Sequence, residues 1–552
     1  MFPARPVGQA LRVRTAPHIQ SGVPAGFLRA AVAGKVASMA RKYALTTLGC
    51  KVNQYESQVI RETLESLGFQ PAREGETVDI AAVNTCAITS SASAKSRQAI
   101  RRLSRDKQTP VIVFGCGVAA DPERISKIAG VAATLDHGVD VRSELRRLLA
   151  PPSQIPARSG NEPSGAADIP DGAPGNAVWM SPVASRRLGD ATNSLRVRPQ
   201  DTSNGNIVSR PSRIVKFAAE LDGRITRFSG HQRAFLKVQD GCDAYCSYCI
   251  VPRLRPQMRS KPVDAAVAEA RELVRAGHKE IVITGIFLGA YGQDTAVRKR
   301  FRPGASALAT LVRAISEVEG LRRLRLSSLE PGDFDDTLLE VLAARDNCVP
   351  HLHLPVQSGS ADILRRMNRQ YTIEAFIATV DRVRHALDRP AITTDVIVGF
   401  PGETEEDFQA SLEVASYAQF AKIHAFPYSA REKTPAALKS DRFILAPVMR
   451  ERMARLAQVE RECSAEFRGR FVGEVERVLV EDDGRAAQAA GAEHVRTEPA
   501  RRTCRGRADR YFEICFEADD VAAGDLVRVS VERVTPGRTH GRLIPFDSAA
   551  CA

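Results

Sequence analysis

Between Ala234 and Phe426, strand-length apolar runs alternate with helix-length amphipathic patterns, and few folds accommodate that rhythm. The strand patterns are Ala234–Val238, Glu280–Gly285, Arg323–Ser327, His351–Leu354, Ala391–Val398 and Ala421–Phe426. Helical patterns at Asp264–Ala276, Ser306–Glu319, Asp335–Ala344, Thr372–Leu387 and Glu405–Tyr417 separate them. Strands joined through helices pair in parallel, so the six units predict a partial (β/α)6 barrel. Its chemistry belongs at the C-terminal strand ends.

A shorter series of the same kind precedes it. Tyr43–Cys50, Val78–Cys86 and Pro110–Cys116 read as strands, with helices Asn53–Leu67 and Ser90–Ser104 between them. This predicts an N-terminal parallel sheet of flavodoxin-like type, whose three strands all run out at a cysteine. Beyond the central barrel, residues 444–469 form an amphipathic connecting helix. Val475–Val480, Tyr511–Phe516, Asp525–Val534 and Gly541–Ile544 then read as short strands of a small all-β barrel. The expected division is an N-terminal domain at 42–150, a central domain at 213–443, a connecting helix at 444–471 and a C-terminal domain at 472–548.

Two segments fall outside this scheme. Residues 1–41 form a basic extension with Arg5, Arg12, Arg14, Arg29 and Lys35 and no acid before Met39. An organellar leader has that composition, but a start at Met39 is the simpler reading. Residues 151–212 are rich in Pro, Gly, Ser, Ala and Asn and read as a disordered insert, which holds the only tryptophan, Trp179.

The formal net charge of +13 favours a polyanionic partner such as nucleic acid. No apolar run reaches about 18 residues, so no transmembrane span is expected. Eleven cysteines in 552 residues are too sparse for a disulfide scaffold, and three are packed as ligands would be. A reducing, cytoplasmic setting with metal chemistry follows.

Those three are Cys242, Cys246 and Cys249, spaced C-x3-C-x2-C directly after the strand pattern Ala234–Val238. Zinc sites pair two C-x2-4-C units, and ferredoxins use runs of C-x2-C. Neither uses this spacing alone. Three thiolates on one loop suit three irons of a four-iron cluster and leave the fourth iron open. Cys50, Cys86 and Cys116 converge at one sheet edge if the N-terminal strands are parallel, which suggests a second cluster. Cys348, Cys463, Cys504, Cys515 and Cys551 have no such spacing and read as core or incidental residues.

The loop, with Tyr248 before its last cysteine, resembles the signature of the radical S-adenosylmethionine superfamily. Within it, Thr47–Ser57, Asn84-Thr85-Cys86 and Gly115-Cys116 resemble the N-terminal domain of the methylthiotransferases. So do Ser327–Pro331, His353–Ser360, Arg366–Arg369 and Gly399–Phe408 in the barrel, and the C-terminal barrel resembles the family's TRAM domain. Departures are Leu254-Arg255-Pro256-Gln257, where Arg-Gly is common, Gly117-Val118 after Cys116, and the long insert.

This resemblance implies two [4Fe–4S] clusters and S-adenosylmethionine. Cys242, Cys246 and Cys249 would hold the cluster that chelates the cofactor, and Cys50, Cys86 and Cys116 the cluster that carries the inserted sulfur. Tyr248, Gly285, Glu330, Gln357 and Gly399 would line the cofactor and substrate site. Gly49–Ser57 resembles the branch that methylthiolates C2 of N6-threonylcarbamoyladenosine beside the tRNA anticodon. Other substrates of the class are isopentenyladenosine in tRNA and a ribosomal-protein aspartate. A non-catalytic iron–sulfur redox sensor that binds RNA is the reading from another class. tRNA is the expected partner, with Arg501, Arg502, Arg505, Arg507 and Arg510 as its contacts on a C-terminal loop. A flavodoxin- or ferredoxin-type electron donor is expected, and the sulfur source stays open.

Overall fold

The computed structural model describes residues 41–149, 221–485 and 502–545, apart from 74, 106–108, 138–139, 222 and 303–305. The readings of residues 1–40, of the insert with Trp179, of Arg501 and of Cys551 lie outside the described residues.

The N-terminal sheet contains β1 (Arg41–Thr47), β2 (Phe69–Pro71), β3 (Ile80–Thr85), β4 (Val111–Gly115) and β5 (Val131–Leu135). Its order is β2-β1-β3-β4-β5 and every pairing is parallel. That is the flavodoxin-like order. Every residue of β3 and β4 is buried, as central strands covered on both faces require. The sequence pattern showed three of the five strands. β2 has three residues, too few to display a period, and β5 is a five-residue run at the far edge.

The central sheet runs β6 (Arg233–Asp240), β8 (Glu280–Gly285), β9 (Arg323–Leu326), β10 (His351–His353), β11 (Ala391–Val398) and β12 (Lys422–Pro427), with β7 (Arg259–Ser260) antiparallel on the outer side of β6. β6-β8-β9 and β10-β11-β12 pair in parallel. The bridges Leu324–Cys348 and Ser328–His353 join the two groups. Six parallel strands with β6 and β12 at the ends make the expected partial barrel. Leu352, Ile392, Val396 and Ile423 turn toward the core under the surrounding helices. By alternation His351, His353, Thr393, Asp395 and His424 share the inner face. The His353 and His424 rings lie 5.8 Å apart across it.

The 24-residue helix Ala446–Gly469 leads to a closed barrel of β13 (Val475–Asp482), β14 (Thr503–Ala508), β15 (Glu513–Glu517), β16 (Leu526–Val534) and β17 (Thr539–Ile544). The expected loop through Arg510 is corrected here, because Thr503–Ala508 is a strand. Cys504, Gly506 and Ala508 point inward and are buried while Arg505 and Arg507 point outward. Small inward residues and a run of arginines hid the period. Among the described residues no helix is long and apolar enough to cross a membrane.

Candidate active site

The N-terminal cysteines stand just beyond three parallel strand ends. Gly49 has φ +110° and little space for a β-carbon, which would lie 3.0 Å from Cys86 Cβ. This left-handed turn delivers Cys50 to the N-cap of helix Lys51–Ser66, where no side-chain cap bond holds it. Gly115 (φ +89°) makes the equivalent turn before Cys116, against Asn84. Two amides fasten the turns together. Asn53 Nδ2 donates to Leu48 O (2.7 Å) and Thr85 O (3.0 Å), and Asn84 Nδ2 donates to Asn53 O (2.9 Å). The Cys86 N–H donates to Ser96 Oγ at 3.1 Å. Cys50 is exposed, whereas Cys86 and Cys116 are buried; burial raises the Cys86 thiol and pushes Cys116 up to about 12.

The second triad lies on the loop after β6. Gly241 (φ +85°) turns the chain where a β-carbon would meet Gln257 O at 1.9 Å. The Cys242 N–H donates to Arg255 O (3.0 Å), and Ser247 ties the loop to Met367 O and Arg366 O. Burial raises Cys242 and pushes Cys249 up to about 12. All six cysteines are free thiols. No three His, Cys, Asp or Glu side chains among the described residues converge on a single-ion position. Thiolates around a four-iron cube sit on separate corners, so glycine-cradled triads suit that larger group.

The five residues expected around the cofactor occupy different surroundings. Tyr248 packs with Ile363, Met367 and Phe400 and accepts a 3.3 Å hydrogen bond from Arg369. Glu330 accepts from Arg369 (2.6 Å) and Arg298 (3.4 Å). Gly285 ends β8 beside Gln239, which itself accepts from Phe287 N–H. Gln357 has φ 64° and joins β11 by a bridge to Val396. A β-carbon on Gly399 (φ +79°) would lie 3.0 Å from Met449, and the Gly399 N–H donates to Glu403.

Two arginines were missed as site residues. Arg369 Nη1 lies 3.1 Å from Cys246 Sγ while the same guanidinium holds Glu330 and Tyr248. Its place in the Arg366–Arg369 motif was the available signal. Arg255 is 3% exposed and links the two triads. Its carbonyl holds Cys242, its Nη groups bind Asp240 (2.9 Å) and Glu56 (2.8 Å), and its side chain is within hydrogen-bonding reach of Cys116. Cys116 lies near enough to Cys249 to raise its proton affinity, and it packs with Ile250, the residue after Cys249. The two triads thus approach one another at Cys116 and Cys249.

The described arginines expected at RNA are engaged within the protein. Arg505 pairs with Asp482 (2.5 Å), Arg507 with Glu481 (3.2 Å), and Arg510 with Glu476 and Asp388 (both 2.8 Å). Arg502 Nη1 donates to Asp483 O at 3.4 Å.

Known proteins share this arrangement in sequence. Residues 236–415 match the model of the radical SAM superfamily, and 42–135 match that of an uncharacterized protein family, UPF0004. The threonylcarbamoyladenosine tRNA methylthiotransferase MtaB of Bacillus subtilis is 32% identical over 502 residues, covering 91% of this chain and 96% of that protein. The tRNA-2-methylthio-N(6)-dimethylallyladenosine synthase of Thermobifida fusca is 32% identical over 505 residues, covering 90% and 88%. Among solved structures, the radical S-adenosylmethionine methyltransferase TsrM of Kitasatospora setae aligns over 73% of this chain and 74% of its own, with 16% identity and a TM-score of 0.46. That likeness carries no argument about chemistry. The fold and the paired triads define a radical enzyme built on iron–sulfur clusters. The chain belongs to the radical S-adenosylmethionine methylthiotransferases, and is a transferase with two [4Fe–4S] clusters and S-adenosylmethionine as cofactors.

Proposed function

We propose that the protein replaces the C2 hydrogen of N6-threonylcarbamoyladenosine, next to the tRNA anticodon, with a methylthio group. The observation that carries this reading is the meeting of the two triads across Arg255, which serves sulfur insertion better than a lone radical site. Relatives named for threonylcarbamoyl and for dimethylallyl substrates are equally similar at 32%, so identity does not choose between them. The stretch Gly49–Ser57 and the polar inner face at His353, Asp395 and His424 favour the threonylcarbamoyl substrate.

When bound, the clusters and S-adenosylmethionine supply radical hydrogen abstraction together with sulfur and methyl transfer. Cys242, Cys246 and Cys249 hold one cluster and Cys50, Cys86 and Cys116 the other. Tyr248, Gly285, Glu330, Gln357 and Gly399 shape the cofactor side of the site. Arg369 aims a positive charge at Cys246 and donates a hydrogen bond to Glu330. Arg505 and Arg507 exchange Asp482 and Glu481 for phosphate when RNA binds, with Arg501 and Arg502 of the same stretch as further contacts, whereas Arg510 secures the C-terminal barrel to Asp388. A flavodoxin- or ferredoxin-type protein delivers electrons in the cytoplasm.

Nucleoside mass spectrometry of tRNA from a strain lacking the gene tests the reading. 2-Methylthio-N6-threonylcarbamoyladenosine should disappear and its unmethylthiolated precursor accumulate. Unchanged levels of that nucleoside, with loss of the methylthio-isopentenyl one, would overturn it.

A further inference from the structure

Helix Lys51–Ser66 begins with a cation, where the helix dipole disfavours positive charge. Lys51 directly follows Cys50 and is half-buried, yet it has no hydrogen-bond or ion-pair partner among the described residues. Its surroundings are well defined. Tyr511, Arg233 and Asp395 act on it electrostatically, and it acts in turn on His351 and His424. These residues come from β6, β10, β11, β12 and the C-terminal barrel, so Lys51 stands within electrostatic range of the inner face of the parallel barrel.

The anions in this region are already engaged. Asp395 Oδ2 is held by His353 Nε2 at 3.3 Å, and Glu481 by Arg233 at 3.1 Å. Burial keeps His351 and His424 below the ordinary histidine range, so both are neutral at pH 7. Arg233 adds repulsion. Asp395 offsets part of the cost, but a cation partly withdrawn from water, with no ion-pair partner among the described residues, beside another cation and at a helix start, still gains from an arriving anion.

We propose that Lys51 is a specificity-determining residue that binds the carboxylate of the substrate's threonylcarbamoyl group. This rests on the substrate reading above and deepens it. The N6 substituent of threonylcarbamoyladenosine ends in an amino-acid carboxylate, whereas an isopentenyl group is an uncharged hydrocarbon. Lys51 sits one residue from the sulfur-carrying triad, so an N6 substituent anchored there holds the adenine ring beside Cys50. The ammonium makes a charge-assisted hydrogen bond with the carboxylate and leaves an isopentenyl tail facing an unneutralised cation.

The test uses the full-length protein with both clusters reconstituted, and anticodon stem-loops carrying threonylcarbamoyladenosine, its carboxyl methyl ester or isopentenyladenosine. Dissociation constants are measured by anisotropy under anaerobic conditions, beside methylthiolation of each RNA. Wild type should bind the free acid about tenfold or more tighter than the ester, the range of a charged hydrogen bond. Lys51→Met should bind both as weakly as wild type binds the ester, and Lys51→Arg should restore most of the preference. Cluster absorption and thermal melting of each variant guard against misfolding. If Lys51→Met keeps the wild-type preference for the acid, the inference is overturned while the substrate reading stands. Equal weakening toward all three RNAs also overturns it, since that marks a role in the cluster or the fold. If wild type methylthiolates only the isopentenyl stem-loop, the substrate reading itself fails.

Discussion

Gly241 occupies a turn in which a β-carbon would collide with the Gln257 carbonyl, and its φ of +85° is costly for other residues. Gly241→Ala must therefore displace the loop that carries Cys242, Cys246 and Cys249. The variant should lose about half of the reconstituted iron, one cluster of two, and iron analysis with electron paramagnetic resonance would check it. Arg369 acts on the same loop by charge. A cation hydrogen-bonded near a cluster sulfur favours the reduced, more negative state. Arg369→Gln should lower the midpoint potential of the loop cluster, as read by a redox titration, and leave the N-terminal cluster unchanged. An unaltered potential would reduce Arg369 to a structural partner of Glu330.

At the scale of elements, helix Lys51–Ser66 belongs to two cores. Ile60 and Leu64 pack under the N-terminal sheet, while Tyr55 and Val59 join the core of the parallel barrel. Tyr55 OH donates to Glu269 (2.8 Å), and Ser57 bonds Thr47 (2.7 Å). Much of the motif around Cys50 thus holds domains together instead of touching substrate. Glu56 is a buried charge at this junction, paired with Arg255 and Lys237. Burial raises its carboxyl, but Arg255 and Lys237 outweigh that and hold it at about 2. Burial and Arg255 hold the neighbouring His137 at about 4. In both cases the unfolded chain takes up protons at higher pH than the folded one, so acid destabilises the junction. Stability should fall between about 6.5 and 4 through His137, and between about 4.5 and 2 through Glu56. Urea unfolding at stepped pH would measure it. Glu56→Gln should flatten the lower step and cost about 3–5 kcal/mol at pH 7, because Arg255 and Lys237 lose a buried counter-charge.

Across the whole molecule, one buried carboxylate links the central and C-terminal barrels. Glu280 and Arg323 are both 0% exposed and lie 2.8 Å apart, and Arg325 reaches the same carboxylate at 2.7 Å. The two guanidinium groups then donate to the carbonyls of Arg507 and Ala508 at the end of β14 and of Asp509 in the turn that follows. Tyr511, on the same turn, stacks on His351 at 4.2 Å. Glu280→Gln should cost about 3–5 kcal/mol, since it leaves two buried cations with less compensation. Thermal denaturation and limited proteolysis should show the C-terminal barrel loosening first. A drop in stability confined to the central barrel would disprove the linkage.

The amino-acid sequence alone determined the alternation of strands and helices, the two cysteine sets and the places where they end strands. Those signals are local, because a period of 2 or 3.6 residues and a ligand spacing are complete within a short stretch. Packing decided what the charged residues do. Arg501–Arg510 read as a basic loop, yet Arg505, Arg507 and Arg510 meet acids from other segments on folding. Arg255 was visible only as a departure from a family pattern, and it proves to join both triads. Lys51 was one letter of a motif until folding set it within electrostatic range of the inner face with no ion-pair partner among the described residues. Charge compensation depends on which distant group arrives within about 4 Å, and only the tertiary structure supplies that distance.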